Sequence, residues 1–521
     1  MNGGHTVTYE YDPDSLVTRV DQASGPELDL QRNAGAGFGA GLLTGTTQGV
    51  IATTETPSPF GELESLVASE NSNPLYTLDV GARDALGRIE TKIETLGAGS
   101  PVSTVYTYDA AGRLDTVTVD STLTADYAYD ANGNRTHERE DLLGPPIAVY
   151  DDQDRLLSYD GTTYTYSAAG DLETSTHATG TTTYGYDALG NLRSVVLPDA
   201  EQIEYGIDGQ NRRVGKKVCP APCTPPATPQ PVQGFLYGDQ LRIVAELDAS
   251  NDVVSRFVYA TRPNVPDFLV KDGTTYRILS DQVGSVRLVV NASTGSVAQR
   301  IDYDAFGVVT QDTNPGFQPF GFAGGLMDPD TGLVRFGVRD YDPRVGRWTS
   351  KDPIGFRAGD SNLYAYVVGD PVNAVDPTGL ILGTLARPVY RMLGQTAAEA
   401  AFGGRALDAA VGTANSVAGA AGGGTDLGGL AAPLLGLPCP QGADALNAAL
   451  DLSGALGARA IASGVLPTAL AGGSAATGIA VLSAGAGGFQ LGSALRSGIR
   501  AGTGVDIGTA PADALADRLG F

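Results

Sequence analysis

The chain has 521 residues, with Asp+Glu 59 against Lys+Arg 34, and a formal charge of −25. So acidic a protein repels phosphate backbones and anionic bilayers, which argues against nucleic-acid binding and electrostatic membrane docking. Gly is 70 of 521 but shows no three-residue period, which excludes collagen, and recurring Tyr, Val and Leu argue against a wholly disordered chain.

Met1 is followed by NGGHTVTYEYDPDS, with neither a basic n-region nor an apolar h-region, so no signal peptide is predicted. The chain starts inside a strand pattern. The expectation is that residue 1 is not a natural domain edge and that a longer array precedes it.

Internal repetition is the strongest signal. YTYDAAGRL begins at Tyr106, YAYDANGNR at Tyr127, AVYDDQDRL at Ala148, YTYSAAGDL at Tyr164 and YGYDALGNL at Tyr184. The turn position falls at Asp109, Asp130, Asp151, Ser167 and Asp187, in steps of 21, 21, 16 and 20 residues. Degenerate copies occur at Tyr9, Tyr205 and Tyr237. Tyr-x-Tyr predicts a strand with both rings on one face. Asp then starts a turn, Gly supplies positive φ, and Leu opens the returning strand. Each copy is about one hairpin, and helical periodicity is nearly absent from 100 to 310. The pattern predicts an all-β chain with a long antiparallel sheet that must curl, stack or wind. Propeller blades need about 40 residues, so a step near 20 fits them poorly.

Cys219 and Cys223 lie in CPAPC, and Cys439 stands alone. A local disulfide, half of a metal site, or a proline-rich loop with two thiols all fit. No second pair or nearby His completes a zinc site, so no metal or cofactor is predicted.

From 276 to 309 the chain reads YRILSDQVGSVRLVVNASTGSVAQRIDYDAFGVV, a series of strands and tight turns. From 320 to 380 it contains RDYDPRVGRW, KDPIGF, NLYAYV and VDPTGL. DPIG at Asp352 and DPTG at Asp376 suit type I turns, with Pro presetting φ and Gly closing.

These motifs and the YxYDxxGR/N-L repeat resemble the YD-repeat family of Rhs proteins, toxin-complex C components and teneurins. The resemblance covers about 100 to 380, more weakly 1 to 100, and not 381 to 521. It implies a sheet wound into a hollow β-shell. Residues 1–100 are then degenerate repeats of an incomplete shell, 101–275 are YD repeats, 276–380 are the Rhs repeat-associated core, and 381–521 are a variable cargo. It further implies a self-cleaving aspartyl protease that cuts after the DPxGL motif, with Arg339, Asp340, Asp352 and Asp376 as site residues and Leu380–Ile381 as the scissile bond.

The residues agree with carboxylate chemistry. His5, His137 and His177 are the three histidines, none lies in 320–521, and the core has no cysteine. Two carboxylates sharing a proton split into a base and an acid. Arg339 could stabilise an oxyanion or hold a carboxylate ionised. Alternatively it pairs with Asp340 as a structural clamp. The sequence does not choose the working pair.

After Leu380 the composition changes. Residues 381–521 hold seven Arg, seven Asp, the single Glu399, and neither Lys nor His. Segments 396–418 and 443–466 carry helical periodicity, 460–495 is uncharged, and Thr468 to Phe489 is long enough to span a bilayer. The expectation is a mainly helical region, either a membrane-acting effector or a helical filler, with no nucleic-acid partner. The resemblance adds a secretion-system or adaptor partner, an immunity protein, and a bacterial protein exported or surface-bound without a signal peptide. The alternative is a non-enzymatic adhesion scaffold with a hydrophobic tail.

Overall fold

A computed structural model describes residues 6–22, 25–33, 41–58, 61–138 and 147–380. All lie within one compact unit, Met1–Gly403. The predicted helices at 396–418 and 443–466, and the uncharged stretch after them, fall outside the described residues.

The unit is all-β, and each strand of a sheet pairs antiparallel with the next in the chain. A 12-stranded sheet runs from Val7–Tyr11 to Arg135–Glu138, and a 16-stranded sheet from Ala148–Tyr150 to Val309–Asp312. A 4-stranded sheet follows, from Leu326–Met327 to Arg347–Trp348. Among the described residues no helix is long and apolar enough to cross a membrane.

The repeat explains the meander. The first tyrosine of each pair is buried, as at Tyr106, Tyr127, Tyr164 and Tyr184, and so is the leucine that opens the returning strand, as at Leu114, Leu172 and Leu192. The turn between them is built by the aspartate. Asp109 Oδ1 accepts the N–H groups of Ala111 and Arg113, both at 2.9 Å. Its own carbonyl accepts Gly112 N–H at 3.0 Å, and its N–H donates to Arg113 O at 2.9 Å. Gly112 sits at φ +89°, where a Cβ would be strained. The same aspartate pattern recurs at Asp84, Asp130, Asp151, Asp187 and Asp208.

Partial burial pushes the Asp109 and Asp151 carboxyls up, but hydrogen bonds from Arg113 and Arg155 outweigh it and hold both below the usual range. A lowered folded-state pKa adds stability that is present above the unfolded value of about 3.9 and lost as pH falls through the lowered one. Thermal melts should therefore fall steadily below about pH 4. Asp109→Asn, which keeps an oxygen for the two N–H groups, should cost about 1 kcal/mol at pH 7 and flatten that acid slope.

The sheets close on each other through contacts far apart in sequence. Val17, Val20 and Leu28 pack with Val258, Ala260 and Phe268. Ile51, Leu63 and Leu78 pack with Leu279, Leu288 and Val290. Gln22 donates to Thr275 Oγ1 at 2.8 Å, and Val50 N–H to Ala292 O at 2.9 Å. The segment after the large sheets then packs against both. Val372 joins Tyr106, Leu114 and Tyr127, while Leu333 and Val345 join Leu156, Leu172 and Leu192. Its own centre is aromatic: Phe322, Phe336, Tyr341, Trp348 and Tyr366 form one cluster.

Candidate functional site

The strand Arg339–Asp342 is the frame of the site. It returns from Val334–Phe336 through a hairpin at Gly337, where φ is +48° and a Cβ would stand 2.1 Å from Thr378 O. That close approach brings the chain 376–380 alongside the hairpin. Val338 N–H donates to Thr378 O at 3.1 Å.

Alternation along a strand sends neighbours to opposite faces. Arg339 lies with its guanidinium 4.1 Å over the Trp348 ring. Its Nη2 reaches Asp352 Oδ2 at 2.9 Å and Asp376 Oδ2 at 3.3 Å. Its Nε donates to Gly379 O, one residue before Leu380. Each aspartate spends one oxygen on a turn and the other on the arginine. Asp352 Oδ1 accepts Ile354 N–H at 2.9 Å. Asp376 Oδ1 accepts Thr378 Oγ1 at 3.0 Å and Leu380 N–H at 3.2 Å. The DPxG turns are thus both structural and part of a charge cluster.

One guanidinium faces two carboxylates, and all three groups are buried. Burial pushes the Asp352 carboxyl up, Arg339 pulls against it, and Asp376 adds to the rise. Burial also lowers the Arg339 pKa, against the pull of Asp352 and Asp376. One cation against two carboxylates leaves an excess of negative charge, which favours the protonated form of Asp352. A cavity of about 10 Å³, room for the centre of one water, borders Arg339 and Asp352, with Asp360 and Asn362 in its wall.

Asp340 is placed elsewhere. Its Oδ1 accepts Arg213 Nη2 at 2.7 Å and its Oδ2 accepts Arg335 Nη1 at 2.8 Å. The clamp between Arg339 and Asp340 considered from sequence is not formed: Arg339 serves the other two aspartates. Arg213 comes from the 16-stranded sheet and lies 3.7 Å over the Tyr205 ring. Arg335, Arg213 and Trp348 were not singled out by sequence reasoning. The one available signal was the run VRFGVRDYD, in which Arg335, Gly337 and Arg339 alternate.

Leu380 is half-buried, and Ile381 lies outside the described residues. His137 and His177 sit on strands of the large sheets, and His5 is outside the described residues. Cys219 and Cys223 are joined as a disulfide. Among the described residues no group of three or more His, Cys, Asp or Glu could hold a metal.

Residues 48–372 match the family model described as Teneurin YD-shell. Mouse (Mus musculus) Teneurin-3 is 30% identical over 309 residues, which is 56% of this chain and 11% of that protein. Double-stranded DNA deaminase toxin A of Burkholderia cenocepacia is 29% identical over 321 residues, 56% of this chain and 22% of the toxin. Among solved structures, the TcdB2-TccC3 crystal structure matches with a TM-score of 0.53 at 19% identity, over 73% of this chain and 22% of that one. The chain thus spans between about a tenth and a quarter of each of these proteins, and the structural match speaks for the fold alone.

Proposed function

Because the chain belongs to the Teneurin YD-shell family, we propose that it is a toxin-type shell that encloses its own C-terminal region and frees it by cutting after Leu380. The observation that carries this reading is the buried Arg339–Asp352–Asp376 cluster, bonded to Gly379 and Leu380 at the point where composition breaks. The similarity to a bacterial deaminase toxin and the TcdB2-TccC3 fold support the shell role. Such a protein acts outside the cell that makes it, with 381–521 as cargo, an adaptor or secretion partner, and an immunity protein to guard the producer.

In the proposed step, water adds to the Leu380 carbonyl carbon and the Leu380–Ile381 C–N bond breaks. The ionised carboxylate of the pair takes the water proton. The protonated one delivers a proton to the leaving nitrogen of Ile381. Arg339 keeps one carboxylate charged. Asp352, whose carboxyl burial pushes up, takes the role of proton donor. Asp340 holds the strand that presents Arg339.

Purified protein should run on a denaturing gel as pieces of 380 and 141 residues, from a 53.5 kDa chain. Asp352→Asn should slow cutting about a hundredfold or more while leaving the β signal intact. The rate should decline as pH rises through the raised Asp352 pKa, because the proton donor is lost. A rate that rises there would remove Asp352 from the donor role. The teneurin similarity favours a second reading, an uncut adhesion scaffold, and a single full-length band would select it.

A further inference from the structure

The repeats are not equivalent at the residue four places after the turn aspartate. Arg113 bonds its own Asp109 at 2.7 Å, lies 4.5 Å over the Tyr129 ring, and donates to Asp130 O of the next turn at 3.1 Å. Arg212 does the same with Asp208 at 2.8 Å, the Tyr237 ring at 4.9 Å and Asp239 O at 2.8 Å. In these two copies the arginine bridges consecutive turns.

Two copies carry asparagine there, which reaches a side chain of the next turn and keeps its amide oxygen for a third partner. Asn134 uses its amide N–H groups on Asp130 and Asp154, at 3.0 and 2.8 Å. Its free oxygen accepts Asn362 Nδ2 at 2.7 Å. Asn191 donates to Asp187 and Asn211, and its oxygen accepts Arg335 Nη2 at 2.9 Å. The same nitrogen donates to Asn211 O, in the next turn, at 2.9 Å. Arg335 therefore supplies from the core segment the guanidinium that this repeat lacks. All four side chains are buried.

Both incoming residues are tied to the cluster. Arg335 binds Asp340 through Nη1 and Gly337 O through Nε, at 2.8 and 2.9 Å, so it pins the turn and the strand that carry Arg339. Asn362 precedes Leu363, whose carbonyl accepts Asp352 N–H at 2.9 Å and Arg339 Nη1 at 3.5 Å.

We infer that Asn134 and Asn191 are positioning residues: sockets in the repeat array that seat Asn362 and Arg335, so that the Arg339–Asp352–Asp376 geometry forms only on a completed array. This rests on reading that cluster as the cleavage site. Asn191→Arg and Asn134→Arg, in the full chain, restore the arginine of neighbouring copies and so keep the turn bonded while closing the socket. Each should leave the melting midpoint of the sheets in place, slow cutting by about tenfold or more, and raise amide exchange at 335–342 or 360–366 respectively. Exchange at Ile51–Pro57, seven strands away from Arg135–Glu138 in the 12-stranded sheet, should stay as in wild type. Asp252→Arg, at an exposed turn, should change nothing. Asn191→Ala, which removes the acceptor without adding bulk, reads the same socket if the arginine variant does not fold. Wild-type exchange at 335–342 together with wild-type cutting in both Asn191 variants would overturn the inference. If the wild type itself stays whole, the cleavage reading fails, and exchange alone then decides the sockets.

Discussion

Arg339→Met should destabilise the protein by about 3–5 kcal/mol at neutral pH, because it leaves two buried carboxylates without their cation. Asp352 and Asp376 each give one oxygen to Arg339, at 2.9 and 3.3 Å, and the methionine can still lie against Trp348. The loss is therefore of charge more than of packing. Without the guanidinium, both carboxyls hold protons more tightly in the folded state than in the unfolded chain. The variant should then recover relative to wild type as pH falls through those raised values toward about 4, since protonation removes the uncompensated charge. Cutting after Leu380 should be lost at every pH. Denaturant midpoints across pH, read beside the cleavage assay, check both parts. Equal stability at pH 7 would show that Arg339 does not compensate the pair.

Asp340→Asn should be as costly, about 3–5 kcal/mol, for the opposite reason: it strands two buried guanidiniums. Arg213 keeps the face of Tyr205 and the attraction of Asp328, and Arg335 keeps Asn191 and Asn211 O, so both arginines keep partners but lose the carboxylate they bond directly. The contact joins the 16-stranded sheet to the core strand, so its loss should free the core segment before the large sheets melt. A double-mutant cycle with Arg335→Met should show a coupling of about 0.5–3 kcal/mol between the two sites. Additive effects would mean that the pair contributes nothing beyond shape.

The repeat was legible because its causes are local. Tyr106 to Leu114 carries its own strand, carboxylate turn and returning strand within nine residues, and Asp109 needs only neighbours four places away. The closure of the sheets was not legible. Gln22 to Thr275 is a contact across 253 residues, set by which faces are left apolar after each sheet has formed. The site was half legible. Motif resemblance named Arg339, Asp340, Asp352 and Asp376, and strand alternation alone would have split the first two onto opposite faces. What no local pattern held was the second partner of Asp340, since Arg213 lies 127 residues away. The two sockets carry Asn134 and Asn191 in place of arginine, but their occupants, Asn362 and Arg335, lie 228 and 144 residues away.

The proposed cut falls at one bond, which the N-terminal sequence of the small fragment from freshly purified protein, with its intact mass, locates. The fragment is expected to begin Ile-Leu-Gly-Thr, at Ile381, to run to Phe521, and to be absent from the Asp352→Asn protein. A single species at 53.5 kDa, or a fragment that begins elsewhere and persists in the variant, would contradict it.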